Sequence, residues 1–326
     1  MKTKIFFIAI LFCANILAQT PKSYTILRAS SPITIDSYMN DWVGANISEN
    51  FTICTSGQNG TAQGNCRLLW DDNNLYMMFH IDDNSIKTSN EVQDAYLWQK
   101  GDVLEVIFDF DGNGDHYLEM GINPNGNNYD FNLLCTSASC GGWSDDQAWD
   151  IANMEIAARI DRSQDNQDDY GFDVEVKIPF NSFNSMTGSN FQMPINGTTW
   201  RGNLMMVNFD KNGSSPKEYL SWSTYPGGSP AFHQPNYFGY FTFSNMSVST
   251  TEINSNSFTI NAVQNNQFHV SGNGFIQINI FDNSGRLIKI ENIKDEGIIS
   301  LDNFEKGLYI INASDGIQSI NHKIIR

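Results

Sequence analysis

From residue 24 onward the chain alternates short apolar runs with polar turns. YTILRA, NLYMMFHI, DVLEVIFDF, HYLEMGIN, YDFNLL, FDVEVKIPF, GNLMMVNF and YFGYFTF each show the period-two pattern or short apolar block of a β-strand. The segments between them, DDNN, DGNGD, NPNGNN and DKNGSS, are rich in the Asn, Asp and Gly that supply positive φ in hairpin turns. No segment keeps a helical period over four turns, although a short helix is expected at residues 180–184, just after Pro179. The pattern therefore predicts an all-β protein: an antiparallel β-sandwich of jelly-roll-like form. Within VLEVIFDF, strand alternation puts Leu104, Val106, Phe108 and Phe110 on a core face, and Val103, Glu105, Ile107 and Asp109 on the other.

Near residues 244–257 the sequence SNMSVSTTEINSNS loses its aromatics and reads as a linker. Short strands resume beyond it, enough for a small C-terminal β-sandwich. The expected organisation is a leader over residues 1–18, a main domain over 19–245, a linker over 246–257 and a tail domain over 258–326. The leader, MKTKIFFIAILFCANILAQT, sets Lys2 and Lys4 before an apolar run and Ala18 before the cleavage point, the pattern of a secretory signal peptide. Phe12 precedes Cys13 where a lipoprotein needs a small residue. No later stretch approaches the ~20 apolar residues of a membrane-spanning helix.

Of the 326 residues, 40% are hydrophobic and 17% charged, which suits a packed core rather than a disordered chain. The formal net charge is −17, and losing Lys2 and Lys4 makes it more negative. Such a surface repels nucleic-acid backbones and anionic lipid, but not neutral glycans or calcium. Four cysteines follow the leader, an even number for an oxidising compartment. Of three pairings, the expected one joins Cys54 to Cys66 and Cys135 to Cys140, each across a short polar loop.

Five carboxylates crowd LWQKGDVLEVIFDFDGNGD: Asp102, Glu105, Asp109, Asp111 and Asp115. None of the sequence patterns of metalloproteases, serine hydrolases or nucleotide-binding loops occurs, and the five histidines are scattered, so the chain reads as non-catalytic. Glycoside hydrolysis by two facing carboxylates is the alternative. In DFDGNGD, Asp109, Asp111, Asn113 and Asp115 have the alternate-position oxygens of a calcium loop, and a bare hairpin turn accounts equally for the same letters. Trp98 beside the mid-strand Glu105 is a sugar-site pattern, with a ring for the C–H face and a carboxylate for the hydroxyls; a core Trp and a solvated Glu are the plainer reading.

Two resemblances extend this. ITIDSYMNDW (33–42), LLWDDNNLYMMFHIDD (68–83), Trp98 with GDVLEVIFD, FDVEVKIPF (172–180), SWSTYPGG (221–228) and FHQPNYFGYFTF (232–243) occur in the order found in family 9 carbohydrate-binding modules, sandwiches of the DOMON-like type. Residues 30–243 resemble that family throughout, with Ser37 where Gly is common. The resemblance implies two aromatics clamping the reducing end of a β-linked glycan such as xylan or cellulose, polar groups on its hydroxyls, and structural calcium. Carried over, the aromatics fall on Trp98 and Phe232, the carboxylate on Glu105 and an amide on Ser229. The family's Arg falls at Gly121 and its Gln near Met206, so much of the polar set differs. Loop aromatics Tyr129, Trp143, Trp149 and Tyr225 are candidates for another platform. Related domains hold haem through Met and His, but Met77, Met78 and His80 lie on one expected strand and read as ordinary packing residues. Finally, INIFDNSGRLIK (278–289) and ISLDNFEKGLYIINASDGIQSINHKIIR (299–326) resemble the type A C-terminal sorting domain of the type IX secretion system. This implies export through that machinery to the medium or the outer-membrane surface. The resulting expectation is a secreted polysaccharide-binding protein, with a surface adhesion protein lacking a sugar site as the further alternative.

Overall fold

The computed structural model describes residues 20–135, 143–146, 148–162, 169–227, 231–247, 258–262, 267–282, 286–314 and 319–325. The chain forms two units, Met1–Ser249 and Thr250–Arg326. It is all-β, and no helix among the described residues is long and apolar enough to cross a membrane.

The first unit's strands are β1 Ser23–Arg28, β2 Thr52–Ile53, β3 Gln63–Trp70, β4 Asn74–Asp82, β5 Val103–Asp109, β6 His116–Ile122, β7 Asn128–Cys135, β8 Trp143–Asp146, β9 Glu155–Arg162, β10 Asp169–Pro179, β11 Thr199–Phe209, β12 Pro216–Ser221 and β13 Gly239–Ser247. The hydrogen-bonded path runs β8-β7-β6-β5-β11-β13-β1-β3-β4-β10-β9, with β12 and β2 branching from β11. β11 is the branch point because its first residues pair with β13 and its last with β12, while β5 lies along its other edge. The path folds into two layers over one core. Leu104, Val106 and Phe108 of β5 meet Ile26, Leu68, Met77, Phe79 and Val174 from the opposite layer, so the alternation read along β5 is the alternation observed. All pairings are antiparallel except those of β1, which runs parallel to both β13 and β3 and joins the layers. The turn after Pro179 is a 3₁₀ helix, Phe180–Ser185.

Two sequence features acquire a physical role in the fold. In ITIDSYMNDW, the backbone N–H groups of Asp36 and Ser37 and the Trp42 indole all donate to the buried Glu175 carboxylate of β10, at 2.8, 2.7 and 2.8 Å. Ser37 sits there at φ 63°, in the left-handed region, which explains the glycine preference at this point. A side chain in that region costs roughly 1–2 kcal/mol, and glycine returns about 0.5–1 of it as unfolded-chain entropy. Ser37→Gly is therefore expected to stabilise the domain by about 0.5–1 kcal/mol in urea denaturation. No gain would show that the serine hydroxyl, bonded to the Asp36 carbonyl at 2.5 Å, offsets the strain.

The cysteine expectation fails in part. Cys54 and Cys66 are both free and buried. Cys66 points into the core between the layers, whereas Cys54 packs on the outer face of the β5–β7 layer, so the sulfurs belong to different sides of a sheet. Burial pushes both thiols up, which keeps them protonated and unreactive. Cys140 of the other expected bridge lies outside the described residues, as do Ser229 and the side chain of Trp143.

The second unit is a five-stranded sheet: β14 Phe258–Ala262, β15 Gln267–Asp282, β16 Leu287–Ser300, β17 Leu308–Ser314 and β18 Ser319–Ile325. Val270, Ile276, Ile278, Ile280, Ile299 and Ile311 form its core. Asp282 closes the β15–β16 turn by accepting the Arg286 backbone N–H and Nε, each at 3.0 Å, which explains an Asp and an Arg at this spacing.

Candidate functional site

The outer face of the β5–β7 layer carries the site. Strand register places Glu105 of β5 beside Gly121 of β6 and Tyr129 of β7, and Ile107 beside Glu119 and Phe131. Trp98 approaches on a 3₁₀ turn, Leu97–Gln99, anchored by the buried Leu97. Asp102 fastens this approach loop: its carboxylate accepts the N–H groups of Lys87 and Phe209 at 2.8 and 2.7 Å. Phe232 arrives from the loop before β13. Together Trp98, Glu105, Glu119, Phe131, Val207, Tyr219, Phe232 and His233 line a cleft of about 120 Å³.

Glu105 and Glu119 are 4% and 6% exposed, and one hydroxyl serves both. Tyr129 Oη stands 2.9 Å from Glu105 Oε1 and 3.2 Å from Glu119 Oε1. It reaches them because Gly121 has no side chain: a Cβ there would lie 2.1 Å from the Tyr129 ring. Trp98 and Phe131 hold that ring, with centroids at 5.0 and 4.7 Å. His233 Nε2 lies 3.6 Å from Glu119 Oε2, and its Nδ1 is 2.9 Å from the Tyr117 hydroxyl. Burial pushes the Glu105 carboxyl up to about 7, against the Tyr129 hydrogen bond. Burial also drives His233 down to about 4, so its ring is neutral at ordinary pH.

The structure thus gathers Trp98, Glu105 and Phe232 around one cleft. Sequence reasoning took Tyr129 for a loop aromatic, whereas it is a buried β7 residue, and it did not place Glu119, Phe131, Tyr219 or His233 in the site at all. Period-two alternation hinted at Glu119 and Phe131, but their closeness to Glu105 is a matter of register. Trp149 packs into the inter-layer core, its indole donating to Ser185 Oγ at 2.9 Å. Met206, the counterpart of a polar family position, points into the same core. The methionines do not converge: Met77 and Met206 are in the core, Met78 and Met205 on opposite outer faces, and His80 is bonded to Asp173 at 2.7 Å.

The DFDGNGD segment is a turn closed by its own side chains. Asp109 accepts the N–H groups of Gly112 and Gly114 at 2.8 and 2.9 Å, and both glycines have positive φ. Asp111 accepts from Asn113 and from Asn190 Nδ2 at 2.7 Å, and Asn113 Oδ1 accepts the Asp115 N–H at 2.8 Å.

This arrangement provides an aromatic-walled recess over two buried carboxylate acceptors. The two carboxylates come from neighbouring strands and meet at the Tyr129 hydroxyl.

The profile of the family described as "Carbohydrate family 9 binding domain-like" matches residues 34–246, and that of the "Secretion system C-terminal sorting domain" matches residues 250–326. No curated protein matches the chain. Among solved structures, a candidate carbohydrate-binding protein from Bacteroides uniformis ATCC 8492 is similar at 14% identity and a TM-score of 0.54, over 69% of this chain and 100% of that one. A family 9 carbohydrate-binding module from Caldicellulosiruptor kristjanssonii, solved with glucose, is similar at 19% identity and a TM-score of 0.46, over 72% and 100% of the two chains. The same module with cellotriose gives 18% identity and the same TM-score and coverage.

Proposed function

The chain belongs to the carbohydrate family 9 binding domain-like family and carries a type IX secretion sorting domain, and from that premise we propose that it is an exported, non-catalytic carbohydrate-binding protein. The observation that carries this reading is the recess in which Trp98 and Phe232 stand over the buried Glu105. A pyranose would stack its C–H face on Trp98, with Phe232 and Tyr219 on the far wall, and its hydroxyls would donate to Glu105 and Glu119. At about 120 Å³ the recess is well below the ~300–1,000 Å³ of pockets that engulf larger ligands. It suits one terminal sugar ring rather than an internal stretch of polymer. The ligand class is a β-linked plant-type glycan, xylan or cellulose, captured at a chain end. Export delivers the protein to the medium or the cell surface, where such polymers are met.

Calorimetric titration of the mature protein with xylo- and cello-oligosaccharides tests this. Binding is expected, with Trp98→Ala weakening it at least tenfold, or about 1.4 kcal/mol, while circular dichroism stays unchanged. Oligosaccharides with reduced ends should bind less well if the reducing terminus is the part held. Absence of heat with every glycan would overturn the reading, and release of shorter sugars would make the protein a hydrolase instead.

A further inference from the structure

Strand register gives Glu105 no charged partner on either side. Its cross-strand neighbours are Gly121 of β6, which has no side chain, and Met205 of β11. Other buried carboxylates of the domain meet cations or several donors. Asp169 pairs with Arg162 and Lys211 at 2.7 and 3.0 Å, and Asp173 with Arg159 and, at 2.7 Å, with His80. Glu175 accepts three N–H groups. Glu105, equally buried, accepts the Tyr129 hydroxyl on Oε1. Among the described residues its Oε2 accepts no hydrogen bond, and the residue lines the cleft.

The walls suit the same chemistry. Trp98, Phe131, Tyr219 and Phe232 enclose the cleft, and among the described residues no Lys or Arg lines it. The negative faces of aromatic rings attract a cation, the more so away from water. Hydroxyls alone do not call for such a floor, because Asn, Gln or Ser would accept them without a buried charge. A buried carboxylate with no cation beside it is costly, and the cost falls away when the entering molecule brings the positive charge. An ammonium offers three donors and a full charge where a hydroxyl offers one donor. Glu105 is already desolvated in the fold, so the ligand gives up only its own hydration.

We infer that the cleft takes a basic sugar, a glycan ending in a ring that carries a primary amine, and holds it more tightly than its neutral counterpart. The ammonium donates to Glu105 Oε2, with the Glu119 carboxylate on the next strand as a further acceptor, while the C–H face of the ring lies on Trp98. Tyr219 and Phe232 present their rings to the charge. A recess of about 120 Å³ has room for the amine and little for an acyl group on it, and acylation also removes the charge. This preference rests on the cleft being the sugar site, and it can fail while neutral glycans still bind.

The test is calorimetry at pH 7 on the mature full-length protein with β-1,4-linked disaccharides that differ in one substituent: cellobiose, the corresponding disaccharide of glucosamine, and its N-acetylated form. The glucosamine disaccharide is expected to bind at least tenfold more tightly than cellobiose, and the N-acetylated form no more tightly than cellobiose. In Glu105→Gln the amine and hydroxyl forms should come within about twofold of each other. Should that variant fail to fold, the ratio in the parent decides the matter. Choline chloride, a small cation without a sugar ring, should bind more weakly than the glucosamine disaccharide. Equal affinity for cellobiose and the glucosamine disaccharide would overturn the preference and leave a neutral-sugar site. Silence with every sugar would overturn the sugar site as well. A preference that survives Glu105→Gln would trace it to the acidic surface at large, and choline held as tightly as the amino sugar would make the cleft a site for small ammonium ions. Either result would overturn the assignment.

Discussion

Glu105→Gln is expected to stabilise the main domain at pH 8 by on the order of 3 kcal/mol and to remove this group's own share of the fall in stability between pH 4.5 and 7, beside the shares of the raised Asp83, Asp102, Asp109 and Asp130. The carboxyl has an ordinary value of 4.5 and stands at about 7 in the fold, raised by burial. Below pH 4.5 folded and unfolded chains both carry the proton, and the group adds no pH dependence. Between 4.5 and 7 the unfolded chain loses it while the native state keeps it. The native state then binds more protons, so stability falls as pH rises through this window and levels off above 7. Glutamine holds the shape without the ionisation. Urea denaturation of parent and variant from pH 4 to 8 should show a difference near zero at the acid end that grows to its full size by pH 8. A difference independent of pH would mean that Glu105 titrates normally.

The same substitution should act in the opposite direction on ligand affinity. A hydrogen bond to an ionised acceptor is worth about 1.5–3 kcal/mol, against about 0.5–1.5 for a neutral one. In the parent, affinity for an oligosaccharide should therefore rise as Glu105 ionises through pH 7, and in Glu105→Gln it should be lower at pH 8 and flat. Keeping a desolvated carboxylate in the floor costs stability and gains an acceptor, a balance that makes sense for a binding site and not for a core.

Much of this architecture was legible along single strands. The alternation of Leu104, Val106, Phe108 and Phe110 set the core face of β5 and turned Glu105 outward, and Pro179 marked the following helical turn. What lay beyond reach depended on how strands pair. The meeting of Glu105 with Tyr129 across Gly121, and of Glu119 with Phe131, is fixed by register over three strands and leaves no local trace. Cys54 and Cys66 flank a loop as a bridged pair would, yet a sulfur's side of the sheet depends on which strand it joins, and here the sides differ. The letters of DFDGNGD fit a metal loop, and they fit equally a turn in which oxygens of Asp109, Asp111 and Asn113 accept backbone N–H groups. The position of Ser37 was visible as a departure from a glycine, and only its φ of 63° supplied the reason.

Gly121→Ala is expected to cost on the order of 3 kcal/mol and to disable the cleft, although it adds a single methyl group on a residue that touches no ligand. The new Cβ would stand 2.1 Å from Tyr129 Cε1 and 2.8 Å from its hydroxyl oxygen, distances that real side chains do not tolerate. Tyr129 cannot retreat, because Trp98 and Phe131 close on its ring. Overpacking of this kind costs about 1–3 kcal/mol. The displaced hydroxyl would also leave two buried carboxylates without the donor they share, at a further ~1–3 kcal/mol. Because both penalties act through Tyr129, they should not add to those of removing it. Tyr129→Ala should be destabilising alone, and Gly121→Ala should cost little more in that background, a coupling of at least about 1 kcal/mol in a double-mutant cycle by chemical denaturation. Simple additivity would show that the sheet, not the tyrosine, resists the methyl group. The resemblance places an arginine at position 121 in related modules. Here the glycine makes room for a tyrosine from the neighbouring strand, whose hydroxyl delivers the hydrogen bond to Glu105 without the positive charge.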